Sequence, residues 1–416
     1  MNVLFLTLLD FSTITEHNIY TDLLREFVNH GHRIYTISPV EKRMKQGTHI
    51  VKEKDSTILK LKIGNIQKTN VIEKGISTIT IESTYIRAIK RWFGKIKFDL
   101  VLYTTPPITF GRAVAYVKKR DGAKTYLLLK DIFPQNAVDM GMLSKNGIKG
   151  VLYRHFRKKE KQLYVVSDKI GCMSMANLEY IKKHNLEVSQ DKLEICPNTI
   201  DNVDIQAVDK KKIRRKFHIP QNKLIFIYGG NFGKPQNVDY ILRILKESKR
   251  YSFAHFVMCG AGTDFYKIQA YKEKGAENVT VIGTLPYIKY VELLRACDIG
   301  MIFLDYNFTI PNFPSRLLDY LNYGMPVIAA TDKNTDLSEI IIKYKFGWWC
   351  ESNRVENYMK LLEQIGNQIQ IISQKGELGK KYMMENYTTG HAYEVIVNSY
   401  NSVRKEDSEE TLWKNC

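Results

Sequence analysis

Short apolar runs alternate along this chain with amphipathic stretches of helical spacing. Positions 3–9 read as a first strand, and positions 19–29 as a helix with Ile19, Leu23, Leu24, Phe27 and Val28 on one side. Gly31 marks the turn before a second strand at 33–38, and the short apolar runs 100–103, 125–129 and 169–172 predict three more. Positions 44–85 are less regular and rich in Thr, Ile and Lys, so no motif is placed there. The alternation returns after the basic run 209–217 and Pro220, with strands predicted at 224–228, 256–259, 279–282, 299–304 and 327–330. From 355 to 403 the pattern is helical, and the polar last dozen residues are expected to fray. Such alternation predicts an α/β protein with doubly wound parallel sheets, built as two similar halves.

Length agrees with that division, since 416 residues exceed what one core usually serves. The expected domains are 1–205 and 206–386, with a helix at about 387–405 packing back on the first. Hydrophobic content of 44% and charged content of 25% are those of a water-soluble globular protein. Six scattered cysteines form no C-x-x-C pair and have no histidine at zinc spacing. A reduced cytoplasmic compartment is expected, with neither a disulfide framework nor a metal site. The N-terminal apolar run is short, lacks a basic leader and stops at Asp10, which favours a strand over a targeting signal.

Charge changes the picture more than composition does. The net charge is +18, and residues 1–200 hold 33 Lys and Arg against 19 Asp and Glu, leaving +4 for the remainder. The first half is therefore expected to face something anionic: a membrane surface, a nucleic acid or a phosphorylated substrate. Segments 87–97 and 149–159 interleave cations with Ile89, Trp92, Phe93 and Ile96, and with Val151, Leu152, Tyr153 and Phe156. Basic amphipathic helices with aromatics suit anionic headgroups, although a solvated helix face reads the same way. No nucleic-acid recognition signature is present.

Candidate chemistry gathers where apolar runs end, as ligand sites do in α/β sheets. In 312–328, Pro314 and Ser315 open a short helix that Gly324 closes, and a buried strand follows. Arg316 and Asp319 share a helix face beside the N–H groups of its first turn, including that of Leu317. A cation, a carboxylate and backbone donors suit a phosphate carrying a hydroxylated sugar. In 228–237, Gly230 and Gly233 would admit backbone N–H groups to a phosphate, with Lys234 for charge and Asn231 and Gln236 as donors. An ordinary glycine turn is the plainer reading. Gly260 and Gly262 after the next strand, and the backbone at Leu285, could receive a nucleotide edge or simply connect. In the first half, Asp131 ends an apolar run ahead of a proline turn, placed to act on a substrate hydroxyl or to cap a helix. Lys130 and Asn136 flank it, and the rigid loop with Thr105 and Pro106 would shape the same pocket.

Taken together these junctions resemble the retaining glycosyltransferases of family 4, and within it the bacterial capsular and O-antigen enzymes. The resemblance rests on Asn18–Leu24 with Gly31-His32, the 129–134 turn, Pro197-Asn198-Thr199-Ile200-Asp201, the 230–236 loop and the 314–326 stretch, and runs through nearly the whole chain. It implies a GT-B architecture: two Rossmann-like doubly wound domains facing a central cleft. It implies a nucleotide diphosphate-sugar, a uridine nucleotide being the expected one, bound by the second domain, with Arg316 and Lys234 at the diphosphate and Asp319 at the ribose. The first domain would hold a polyprenyl-diphosphate-linked saccharide beside Asp131 on the inner face of the plasma membrane. Transfer would proceed with retention and without metal or cofactor. Three positions depart from the family pattern: Pro311 replaces the first glutamate of glutamate-x7-glutamate, the loop 11–17 lacks paired glycines, and Asp131 replaces a histidine of some relatives. A nucleotide-sugar 2-epimerase of the same fold is the alternative enzyme, and a nucleic-acid-binding protein the alternative from another class.

Overall fold

The computed structural model describes residues 1–65, 71–202 and 207–414, without the side chains of 71–79 and 406–414. The chain divides into two units, Met1–Ile200 with Thr389–Cys416, and Asp201–Thr388. The boundary expected at 205/206 lies outside the described residues.

The first unit is an eight-stranded sheet. Its strands are β1 (Asn2–Leu6), β2 (Arg33–Glu41), β3 (His49–Lys52), β4 (Ser56–Ile63), β5 (Leu100–Thr104), β6 (Lys124–Leu129), β7 (Lys169–Cys172) and β8 (Leu193–Ile195). Their order is β3-β4-β2-β1-β5-β6-β7-β8, and only the β3–β4 pair is antiparallel. β1, β5 and β6 are apolar at almost every position because helices cover both faces of a parallel sheet. The amphipathic helix Ile19–Asn29 buries Leu23, Leu24 and Phe27, and Asn18 caps it by accepting from the N–H of Tyr20 and Thr21. The helix Thr389–Lys414 returns to this unit, placing Ala392, Ile396 and Tyr400 in the core and the Tyr393 ring 5.0 Å from that of Phe27.

The second unit is a six-stranded, wholly parallel sheet of β9 (Leu224–Asn231), β10 (Ala254–Ala261), β11 (Val279–Ile282), β12 (Ile299–Phe303), β13 (Val327–Thr331) and β14 (Gly347–Glu351). Their order is β11-β10-β9-β12-β13-β14. Counted within the unit this is 3-2-1-4-5-6, the doubly wound order of dinucleotide-binding sheets, and the winding reverses between β9 and β12.

Two structural details differ from the sequence expectation. β9 and β10 continue through Gly229-Gly230-Asn231 and Gly260-Ala261, which pair with one another. The glycines are required there by backbone packing: Gly260 lies at φ +148°, and a Cβ on it would come within 1.9 Å of the Gly230 carbonyl oxygen. Pairing also extends into the irregular segment 44–85, where β3 and β4 form a hairpin edge whose alternation is masked by lysines.

Candidate functional site

Ligands of doubly wound sheets bind at the carboxyl ends of the strands where the winding reverses. In the second unit that point is the end of β9. The Arg316 guanidinium lies over the Tyr228 ring at 4.2 Å, and a Cβ added to Gly230 would fall 3.1 Å from Arg316 Nη2. Arg316 thus crosses from the helix Arg316–Asn322 to the end of β9, and its Nη1 is buried without a hydrogen-bond partner. A buried donor on a permanently charged fork is costly unless an acceptor arrives, and an anion is the acceptor that fits best.

Three phenols frame the cation. Tyr228 donates to the Asn231 carbonyl at 2.7 Å, and the Tyr320 hydroxyl meets the Gly229 N–H and the Ile227 carbonyl at 3.3 Å each. Tyr290 fills the space that a Gly229 side chain would need, 2.2 Å from the position of its Cβ. Burial raises the pKa of all three, so they stay neutral beside Arg316. Asp319 lies close enough to Tyr290 and Tyr320 to push their pKa values up by its charge.

The helix start offers less than its sequence suggested. Ser315 makes no side-chain cap, and the N–H groups of Leu317 and Leu318 already donate to the carbonyls of Pro314 and Ser315 at 3.2 and 3.0 Å. Those two N–H groups are spent within the first turn, and the guanidinium is the charged donor there. The Leu317 side chain is buried in the core. Following β9, Gln236 Oε1 accepts from Asn231 Nδ2 and from the Gly233 N–H at 3.0 and 3.2 Å, which folds the loop and leaves Lys234 exposed at its tip. Gly262 sits past the end of β10 and Leu285 past the end of β11, on the same edge of the sheet.

In the first unit the winding reverses between β1 and β5, and polar groups collect at the ends of β5 and β6. Thr105 Oγ1 accepts from the N–H groups of Lys130 and Asp131 at 3.0 and 3.2 Å, tying the two strand ends together, and Pro106 follows exposed. Asn136, on the short helix Gln135–Asp139, donates through Nδ2 to Asp131 Oδ2 at 2.6 Å. Burial pushes the Asp131 carboxyl up to about 6, partly opposed by hydrogen bonds from Ile132 N–H and Asn136. A carboxylate poised there is ionised at neutral pH yet basic enough to take a hydroxyl proton. Lys130 points elsewhere: its Nζ reaches the carbonyls of Cys196 and Pro197 at 3.5 and 3.3 Å, a strut beneath the loop. Tyr20, beside Thr104 and Asp131, has its hydroxyl pushed up to about 12 by burial and is a neutral donor.

Residues 209–371 match the family Glycosyl transferases group 1. The chain carries a glycosyl transferases group 1 domain. "Probable glycosyltransferase WbjE" of Pseudomonas aeruginosa is 24% identical over 325 residues, 77% of this chain and 78% of that protein. Among solved structures, HepE of Anabaena in complex with UDP-glucose aligns over 97% of this chain and all of its own, with TM-score 0.68 and 12% identity. WaaG, a glycosyltransferase involved in lipopolysaccharide biosynthesis, aligns over 95% of this chain and 99% of its own, with TM-score 0.63 and 14% identity. Both units thus have the fold of GT-B glycosyltransferases.

Gly230, Asn231, Gly233, Lys234, Gln236, Gly260, Gly262, Leu285, Pro314, Ser315, Arg316, Leu317 and Asp319 all lie within the glycosyl transferases group 1 domain. Thr105, Pro106, Lys130, Asp131 and Asn136 precede it. Sequence reasoning passed over Tyr290, Tyr320 and the ring of Tyr228, because buried aromatics at helix and strand spacing read as core. It also passed over Tyr20 as a site residue, although the helix cap at Asn18 marks it as the start of a helix that follows β1.

Proposed function

We propose that this glycosyltransferase moves a sugar, with retention, from a UDP-linked nucleotide diphosphate-sugar to a lipid-linked saccharide in surface-polysaccharide assembly. The reading rests on one observation above others. The Arg316 guanidinium, stacked on Tyr228, holds a buried unpartnered donor at the strand end where the second sheet reverses its winding. The UDP-glucose complex of HepE supports the donor class, and the role of WaaG in lipopolysaccharide biosynthesis supports the acceptor class.

On this reading Arg316 and Lys234 meet the charge that develops on the leaving diphosphate as the glycosidic bond to it breaks, so no metal is invoked. Asp319 receives the ribose hydroxyls. The anomeric carbon passes through an oxocarbenium-like state and bonds to an acceptor oxygen. Asp131 accepts a hydrogen bond from that hydroxyl and takes its proton. The surplus of cations in residues 1–200 favours work at the inner face of the plasma membrane.

The test has two steps. A panel of nucleotide sugars is screened for stabilisation against heat, and the hit is incubated with a polyprenyl-diphosphate-linked saccharide. A UDP-sugar should raise Tm, and the product anomer should match the donor by NMR. Epimerised nucleotide sugar without transfer would assign the alternative enzyme class. Tight RNA binding at physiological salt with no response to any nucleotide sugar would overturn the reading.

A further inference from the structure

Two basic, aromatic-rich segments of the first unit were candidates for an anionic surface, and their burial separates them. In 87–97, Ile89 and Phe93 are 0% and 1% exposed, and Phe93 packs edge-on against Tyr35 and Phe98. What remains fully outside there is cationic rather than apolar, Arg87, Lys90 and Arg91 on the helix and Lys95 and Lys97 after it, as on an ordinary solvated face. The helix Gly147–Val166 is different. Its inner face is anchored by Gly150, Leu163, Tyr164 and the Arg157–Glu160 ion pair, while Ile148, Val151 and Leu152 stand 92%, 60% and 45% exposed. Met142, half exposed, precedes it.

Ile148, Val151 and Leu152 form one stripe, because residues three and four apart lie on one helix face. At about 100° per residue, exposed Lys149 falls to one side of the stripe and exposed Arg154 and Lys158 to the other, with exposed Lys145 just before the helix. No acidic residue lies between Asp139 and Glu160. Large exposed aliphatics between cations are a poor surface for water and a good one for a bilayer, whose acyl boundary takes the stripe while anionic headgroups take the cations. The patch also adjoins the acceptor side: the Phe156 ring, one position beyond His155 on this helix, packs 5.0 Å from the ring of Phe133, two residues past Asp131.

We infer that the first turns of the helix Gly147–Val166, with Met142 and Lys145, form the face that seats this protein on an anionic bilayer. The inference deepens the proposed function, since it supplies the route by which a lipid-linked acceptor would reach the Asp131 side. It depends on that function for its purpose and not for its physics.

The test is partition of the full chain onto vesicles of phosphatidylcholine with phosphatidylglycerol, against phosphatidylcholine alone. The wild type should bind the mixed vesicles and release as salt rises. Ile148→Asp with Leu152→Asp should lower partition by roughly tenfold or more. Lys149→Glu with Arg154→Glu and Lys158→Glu should lower it by more than roughly a hundredfold, at about fivefold per cation removed. Arg87→Glu with Lys90→Glu and Arg91→Glu makes the same charge change on the other segment and should keep most of the binding. Unchanged Tm and circular dichroism in every variant would establish folding; Val151→Asp alone serves where the double variant misfolds. Equal losses from both triple variants would show attraction by net charge alone and overturn the inference. So would wild-type partition in the apolar variants, or self-association through the patch in sedimentation. A wild type that binds vesicles yet transfers no sugar would sink the proposed function and leave this inference standing.

Discussion

Asn136→Ala should raise the pKa of Asp131. Asn136 Nδ2 donates to Asp131 Oδ2 at 2.6 Å, a bond that favours the carboxylate over the acid. Hydrogen bonds to charged groups contribute about 1.5–3 kcal/mol, and a pKa unit corresponds to about 1.4 kcal/mol. Losing this bond therefore moves the Asp131 pKa from about 6 by roughly one unit upward, taking the small end because water can replace part of it. At about pH 6 the ionised fraction falls from about a half to about a tenth, while at about pH 8 both proteins are mostly ionised. The pH profile of kcat/KM should thus lose roughly fivefold at the acid end and little at the alkaline end. Carbon NMR of the Asp131 carboxyl reads the same shift without any substrate. An acid limb and a carboxyl titration that stay where they are in the wild type, or move down, would refute the reasoning.

Asp131→Asn should stabilise the fold while slowing turnover more than it weakens donor binding. Because the folded pKa stands at about 6 against an ordinary 3.8, ionisation works against folding as the pH rises from about 4 to about 6, and the penalty is full above that. Urea denaturation should show a gain of up to ~3 kcal/mol at neutral pH and none below about pH 4. Arg316→Ala should weaken UDP binding by roughly tenfold or more, the loss of a charge-assisted contact, and calorimetry showing unchanged affinity would contradict the donor site. Asp298→Ala should cost ~3–5 kcal/mol of stability, since Asp298 accepts from buried Arg214 at 2.7 Å, from Lys210 at 3.1 Å and from the Ile225 N–H at 2.9 Å. An unmoved urea midpoint would show that Arg214 finds other partners.

The fold class was legible because burial leaves a local trace. A strand covered on both faces must be apolar at consecutive positions, as β1, β5, β6, β9 and β13 are, and an amphipathic helix must repeat its apolar positions, as Ile19–Asn29 does. Strands near a sheet's edge leave a weaker trace: lysines interrupt β3 and β4, one of them, Lys60, buried, and β14 mixes Trp, Cys and Glu, so the apolar-run pattern passed over all three. The site was legible to the extent that it lies at strand ends, which a glycine, a proline or an abrupt charge betrays. That is how Arg316, Lys234 and Asp131 came to notice.

The chain by itself thus determined two doubly wound halves, a surplus of positive charge on the first, and the strand ends at which chemistry gathers. Tertiary structure alone decided the 3-2-1-4-5-6 order, the stacking of Arg316 on Tyr228, the inward turn of Lys130, and which of two basic helices keeps its apolar stripe outside. The physical reason is range. Periodicity reports whether a residue is covered, and it is set by neighbours three or four positions away. Which residue does the covering depends on strands and helices tens of residues distant, whose pairing no local pattern encodes.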